Sequence, residues 1–209
     1  MKKQDIKNFV KILKDTYPDA TCSLDFKTPF QMVVAVMLSA QCTDERVNKT
    51  TPTLFARCQT IQDFADINLQ ELENIIHPCG FYKNKAKNIK LCAKQILENF
   101  NGQVPQTMEE LLTLAGVGRK SANVILLEVF GIANGIAVDT HAKRISNRIG
   151  LSNEKEPEKI EQDLLKLFDK KSLKDINHLF VWHGRKTCAS RKPNCKECTV
   201  NKYCKSYKS

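Results

Sequence analysis

Four cysteines crowd the C-terminal part of this chain at fixed intervals: Cys188, six residues, Cys195, two residues, Cys198, five residues, Cys204. Thiols this dense must be accounted for together, as a disulfide framework or as a metal centre. The nine cysteines are odd in number, and the start Met1-Lys2-Lys3-Gln4-Asp5 lacks the apolar run of a secretory signal. A disulfide framework therefore fits poorly and a metal centre is expected. The spacing leaves two metals open. Four thiolates hold zinc as well as an iron–sulfur cluster. Zinc ribbons usually carry two Cys-x-x-Cys pairs, whereas here only Cys195 and Cys198 form one. From Gly184 to Ser209 there are eight Lys/Arg against one acid, Glu197. A metal centre in so cationic a segment suggests a fixed loop facing a polyanion. Cys22, Cys42, Cys58, Cys79 and Cys92 are scattered, and each is expected to be a small buried hydrophobe.

The charge of the whole chain points the same way. Its 33 basic and 23 acidic side chains give a net charge of +10, which favours nucleic acid or another acidic partner. Hydrophobic residues make up 42% of the 209 positions, enough for a packed core and too many for global disorder. The longest apolar run, Met32 to Leu38 with Ala40 beyond, falls far short of the ~20 residues of a membrane span. No membrane partner is expected.

Periodicity predicts an all-α fold. Helices are expected over Asp5–Tyr17, Phe30–Ala40, Asp44–Ala56, Leu69–Ile76 and Lys85–Phe100. Further helices are expected over Lys120–Phe130, Thr140–Gly150, from Pro157 to about Phe168, and over Leu173–Thr187. The segment after Pro29 is apolar almost all round, so it should be the central buried helix. Thr107 and Glu110 carry a capping-box signature, and Pro157 suits a first helical turn. Alternating strand patterns are nearly absent. A weak echo relates Cys79–Ala86 to Ala115–Ala122, as two versions of one turn.

The stretch Leu114-Ala115-Gly116-Val117-Gly118-Arg119-Lys120-Ser121-Ala122 lies between two of these helices. Gly116 and Gly118 allow positive φ and close approach of another backbone. Amides near Gly118 would then open a helix N-terminus toward an anion such as a DNA phosphate. A plain helix corner with a glycine cap satisfies the same letters. Lys120 meets the positive end of the helix dipole beside Arg119, and both favour the neutral, nucleophilic amine. A solvated lysine contacting phosphate is the alternative. Asp139, nineteen residues on, can cap the next helix, can stabilise positive charge on a sugar, or can do both. His141 can contact a base or stand exposed on its helix.

The chain resembles the endonuclease III family of helix–hairpin–helix DNA glycosylases over almost its whole length. The resemblance rests on Leu38-Ser39-Ala40-Gln41-Cys42-Thr43-Asp44, Gly80 to Ile89, Gly116 to Asn123, Val138-Asp139-Thr140-His141 and the cysteine set. It implies a bifunctional DNA glycosylase and abasic-site lyase of base excision repair, which removes oxidised or damaged pyrimidines and nicks 3′ to the site by β-elimination. It implies Lys120 as Schiff-base nucleophile with Asp139 as catalytic partner, and Cys188, Cys195, Cys198 and Cys204 around a [4Fe–4S] cluster. The flipped lesion would leave a gap entered by Gln41, with Phe81 as wedge where the family commonly has leucine. Gly116, Gly118, Arg119, His141, Arg191 and Lys192 would complete the DNA contacts. Ala115 stands where the family often has proline, which removes a rigid φ but no amide.

Two lobes flanking a DNA-binding cleft follow from the resemblance: a six-helix barrel over residues 23–133, and a cluster lobe from residues 1–22 with 134–209. The expected partner is double-stranded DNA with damaged bases or abasic sites. The expected state is a monomer, cytoplasmic and nucleoid-associated in a prokaryote. Two other functions share these motifs. A monofunctional relative such as the mismatch adenine glycosylase has the glycine turn, the aspartate and the cluster, but no lysine at the position of Lys120. A non-catalytic DNA-binding protein would show salt-sensitive binding without cleavage.

Overall fold

The computed structural model describes Met1 and residues 3–207. Lys208 and Ser209, the end of the cationic tail, lie outside the described residues. Eleven α-helices occur among the described residues: α1 (Lys3–Thr16), α2 (Pro29–Ser39), α3 (Asp44–Arg57), α4 (Ile61–Asp66), α5 (Leu69–Ile76), α6 (Tyr82–Asn99), α7 (Met108–Leu111), α8 (Arg119–Phe130), α9 (Thr140–Ile149), α10 (Pro157–Leu167) and α11 (Lys170–Lys186). Short 3₁₀ turns occupy His77–Cys79 and Asn201–Tyr203. No strand is present among the described residues, so the all-α expectation holds.

Helix contacts divide the chain into two compact units. One runs from Ser23 to Gly131; the other joins the N-terminal segment up to Cys22 with the chain from Ile132 onward. In the first unit α2 is the core. The Thr28 side chain accepts from the Gln31 amide, Pro29 fills the first turn, and Phe30 and Met32 to Leu38 are all buried. Helices α3, α6 and α8 pack around it. In the second unit α1 lies against α11, and α11 against α9. Phe9 meets Phe180 edge-on at 6.3 Å between ring centroids, and Phe168 adds a second edge contact to Phe180.

The structure departs from the sequence reading in a few places, each with a local cause. Helix α4 was not expected. It is only 6 residues long, and its full capping box pairs Thr60 with Asp63 rather than the longer acid sought. The Thr107 site is half a box: its hydroxyl accepts from the Glu110 amide, but the Glu110 carboxylate turns to that hydroxyl at 2.8 Å instead of the Thr107 amide. Helix α6 starts at Tyr82, three residues early, because Phe81 takes a left-handed conformation and serves as its N-cap. The two echoed turns share a glycine at positive φ, Gly80 at 68° and Gly116 at 77°. They then diverge, since Gly118 precedes α8 in extended backbone. Cys58, Cys79 and Cys92 are buried as expected, whereas Cys22 and Cys42 are half-exposed. Those two stand outside regular helix, where no helix face turns them into the core.

Two lysines of α6 complete other helices. Lys85 is only 7% exposed, and its ammonium donates to Leu38 O at 2.7 Å and Cys79 O at 2.9 Å. Leu38 O is one of the carbonyls that the end of α2 leaves without an intrahelical partner, and a cation suits that end of the dipole. Burial pushes the Lys85 amine below its usual value, and the Cys42 and Cys79 sulfurs oppose the shift. Lys90 does the same for α4, donating to Ala65 O at 2.9 Å and to Ile67 O. Replacing Lys85 with methionine keeps the bulk and strands two buried carbonyls. We expect Lys85→Met to lower unfolding stability by about 2–4 kcal/mol, read by urea denaturation beside the parent; an unchanged midpoint would contradict the role assigned to this ammonium.

Candidate nucleic-acid interface and thiol centre

The glycine turn is built from α7, a bend over residues 112–118, and α8. Gln95 of α6 pins it from behind: its carbonyl accepts from the Ala115 amide at 2.7 Å, and its amide donates to Thr113 O at 3.1 Å. At Gly116 (φ +77°) a Cβ would sit 2.6 Å from Met37 Cε and 3.0 Å from Asn88 Cβ. Glycine is required there for both conformation and space. Gly118 is the N-cap of α8 and gives its amides no side-chain acceptor. The first turn of α8 thus has no capping side chain from Gly118 and carries the positive end of the dipole. Arg119 and Lys120 are exposed in that same turn. A phosphate suits this arrangement.

Asp139 takes the N-cap of α9, where its carboxylate accepts from the Ala142 amide at 2.7 Å. The bond fixes the carboxylate while leaving it half-exposed. His141, two residues on, is not a free surface side chain. Its Nδ1 lies 3.0 Å from Arg144 Nη2. The ring fills the notch left by Gly184, where a Cβ would come within 2.4 Å of Nδ1. Burial pushes the His141 pKa down; the Asp139 charge opposes this, and Arg144 and Arg185 reinforce it.

Gln41 and Phe81 stand at two exposed loops of the first unit. Both adopt positive φ, 53° and 47°, which is uncommon for side chains of this size and marks loops held by their surroundings. Phe81 is 64% exposed. A large ring presented to water on such a backbone is a wedge geometry, able to enter a base step.

The four C-terminal cysteines line one cavity of about 200 Å³, with Arg148, Ile149, His183, Thr187 and Tyr207 among its other walls. Burial pushes the Cys198 thiol up, the Val200 amide opposes, and the Cys188, Cys204 and Cys195 sulfurs push it further. The four cysteines thus border one small space. Among the described residues no three His, Cys, Asp or Glu side chains form a group that could hold a single metal ion. Two nitrogens stand beside the sulfurs: Arg148 Nη1 donates to Cys188 Sγ at 3.4 Å, and His183 Nε2 lies 3.9 Å from Cys198 Sγ.

The loop from Cys188 to Cys195 carries Arg191 and Lys192, both exposed, Lys192 at φ 50°. Arg148 binds its backbone, donating to Ala189 O at 2.7 Å and Ser190 O at 2.9 Å. Arg144 donates to Cys188 O and Gly184 O, each at 3.0 Å. These two arginines and Gln95 are the organising residues that sequence reading missed. The only signal for the arginines was their i, i+4 spacing on the helix after Asp139; Gln95 gave none.

Known proteins resemble the chain along nearly its entire length. Residues 34–170 match the family model described as the HhH-GPD superfamily base excision DNA repair protein. Endonuclease III of Synechocystis sp. is 52% identical over 205 residues, covering 98% of this chain and 94% of the relative. Endonuclease III of Bacillus subtilis is 41% identical over 192 residues, covering 91% and 87%. The fold superposes with a TM-score of 0.93 on a solved structure of a trapped endonuclease III–DNA covalent intermediate, an estranged-adenine complex. That structure is 38% identical in sequence, and the match covers 99% of this chain and 97% of the other.

The glycine turn yields a paired expectation. Gly116→Ala adds left-handed strain and a steric clash and should cost about 2–4 kcal/mol. Gly118→Ala has ordinary φ and nothing within 4 Å of the new methyl, so its cost should stay within about 0.5 kcal/mol. Unfolding curves of the two variants decide this; equal costs would contradict the geometry described for the turn.

Proposed function

The chain belongs to the endonuclease III family of HhH-GPD base excision DNA repair proteins, and we propose on that premise that it removes damaged pyrimidines from duplex DNA and nicks the resulting abasic strand through Lys120. It is a DNA glycosylase with abasic-site lyase activity. The observation that carries the assignment of Lys120 is its exposed position in the first turn of a helix whose glycine N-cap leaves the amides open to a phosphate. The trapped DNA covalent intermediate of the solved relative supports covalent chemistry for this chain.

The reaction proceeds from the residues as follows. The α8 amides and Arg119 hold a backbone phosphate, and Arg191 and Lys192 hold the strand from their loop. Gln41 and Phe81 occupy the space left by the flipped nucleotide. The Lys120 amine attacks C1′, the C1′–N bond breaks, and the base departs. The Asp139 carboxylate stabilises the positive charge that develops on the sugar. The C1′–O4′ bond then breaks, with O4′ taking a proton, and the resulting Schiff base acidifies the C2′ proton, whose loss expels the 3′ phosphate. Hydrolysis then frees Lys120. His141, packed between Arg144 and Gly184, positions the end of α9 that carries Asp139.

The donor set also fits a cluster, because four sulfurs share one cavity with Arg148 and His183 beside them. We assign Cys188, Cys195, Cys198 and Cys204 as ligands of a [4Fe–4S] centre. When bound, it supplies a four-point anchor for the loop that bears Arg191 and Lys192. The chain acts as a monomer on double-stranded DNA containing damaged bases or abasic sites.

Nicking of a thymine glycol duplex and of an abasic duplex tests this reading. Lys120→Ala should lose at least about a thousandfold in nicking while DNA binding persists. Asn caps a helix as well as Asp, so Asp139→Asn should keep the parent stability and lose roughly 10²-fold in base release. Parent-like nicking by Lys120→Ala would overturn the assignment. Binding without nicking by the parent protein would leave a DNA-binding module as the better account.

A further inference from the structure

Helix α6 joins two parts of the candidate interface within the first unit, and its outer face is charged. Phe81 stands at its N-terminal end, and Asn88 and Gln95 hold the glycine turn against its side. The helix carries five lysines and a single acid, Glu98. Four of the lysines, Lys83, Lys87, Lys90 and Lys94, fall within an arc of about 60° at 3.6 residues per turn. Lys90 is spent on the carbonyls of Ala65 and Ile67. Lys83, Lys87 and Lys94 are exposed, and no ion pair among the described residues engages them. Leu91, also exposed, separates Lys87 from Lys94 along this face. The order of charge runs against the helix dipole. Lys83 lies in the first turn with no acid beside it, and Glu98 lies in the last turn with no base; each placement is unfavourable. Lysines kept for solubility alone would be better placed toward the C-terminal end.

We propose that Lys83 and Lys87 grip backbone phosphates of the duplex beside the lesion, extending the DNA interface from the Phe81 wedge along the N-terminal half of α6. Continuity and charge select this partner. Lys83 is two residues from Phe81, and Lys87 is one turn, about 6 Å, farther along the helix. Both ammoniums therefore flank a strand that reaches the Phe81 ring. Such a strand carries one negative charge per ~3.4 Å of duplex axis, and an ammonium on a flexible stem meets phosphates as a point charge. Contacts of this kind release counterions and read no sequence, which suits a protein that must meet a lesion in any sequence context. Lys94 lies beyond Leu91, about 10 Å past Lys87, and stands outside the proposed contact. The assignment rests on the reading that Phe81 and the glycine turn face DNA.

The test measures binding of a duplex with a single tetrahydrofuran abasic analogue by fluorescence anisotropy, between about 50 and 200 mM salt. The parent protein, Lys83→Gln, Lys87→Gln, the double variant and Lys94→Gln are compared, all cluster-loaded. The slope of log affinity against log salt should shrink by about 0.9 for each of Lys83→Gln and Lys87→Gln, and by about 1.8 for the double variant. Lys94→Gln should keep the parent slope. Acetylation of the parent with a water-soluble N-hydroxysuccinimide ester, mapped by mass spectrometry, should show Lys83 and Lys87 protected by the duplex and Lys94 unprotected. An unchanged slope in the double variant overturns the proposal and leaves this face to solvent or to an acidic protein. An equal change in Lys94→Gln also overturns it, because it marks a diffuse field of charge rather than two contacts. Parent protein that binds undamaged duplex as tightly as the abasic one would instead count against the functional reading, and the slopes would still decide whether α6 meets DNA.

Discussion

A buried ammonium governs the geometry of the first unit. Lys85 lies almost fully out of water, and a charge in that position must be compensated by fixed dipoles. Its compensation comes from Leu38 O and Cys79 O, one at the end of α2 and one at the turn before α6. A single cation therefore sets where the Gln41 loop leaves the core helix and where the Phe81 loop begins. The left-handed backbones at both residues persist because their flanks are tied in this way.

The second unit solves a different problem, since its C-terminal loop is cationic and poor in large apolar side chains. Cationic side chains and a buried histidine hold it in place. Arg144 and Arg148 project from α9 onto carbonyls of Gly184, Cys188, Ala189 and Ser190. His183, buried on α11, joins Tyr17 at 3.0 Å to Cys198. Burial brings the His183 pKa down to about 4, so the ring is neutral at physiological pH and adds no charge to a crowded site. The thiol cavity is thus held by donors aimed at sulfur and backbone, an arrangement that tunes metal ligands elsewhere.

The fold was largely legible because helices announce themselves locally. The apolar run of α2, the proline opening α10 and the glycine turn before α8 are all short-range signals, and each element formed where they placed it. What escaped notice is long-range. Lys85 and Leu38 are 47 residues apart, and Arg148 and Ala189 are 41 apart; nothing in either neighbourhood marks the pair. Helix α4 escaped because 6 residues give too little periodicity. In the site, Asp139 as an N-cap followed from its place before a helix. His141 did not reveal its packing, because the notch that receives it belongs to Gly184 on another helix. The scattered cysteines read as buried, yet Cys22 and Cys42 are half-exposed, because they stand in loops with no helix face to turn them into the core.

The central claim is that the amine of Lys120 is the covalent nucleophile. Borohydride reduction of the parent protein on an abasic duplex, followed by nuclease and protease digestion and mass spectrometry of the adduct, measures this directly. The account predicts one modified peptide, with the sugar remnant on Lys120 and none on the other amines of the chain. A remnant on a different lysine or on the N-terminal amine, with Lys120 unmodified, would contradict it.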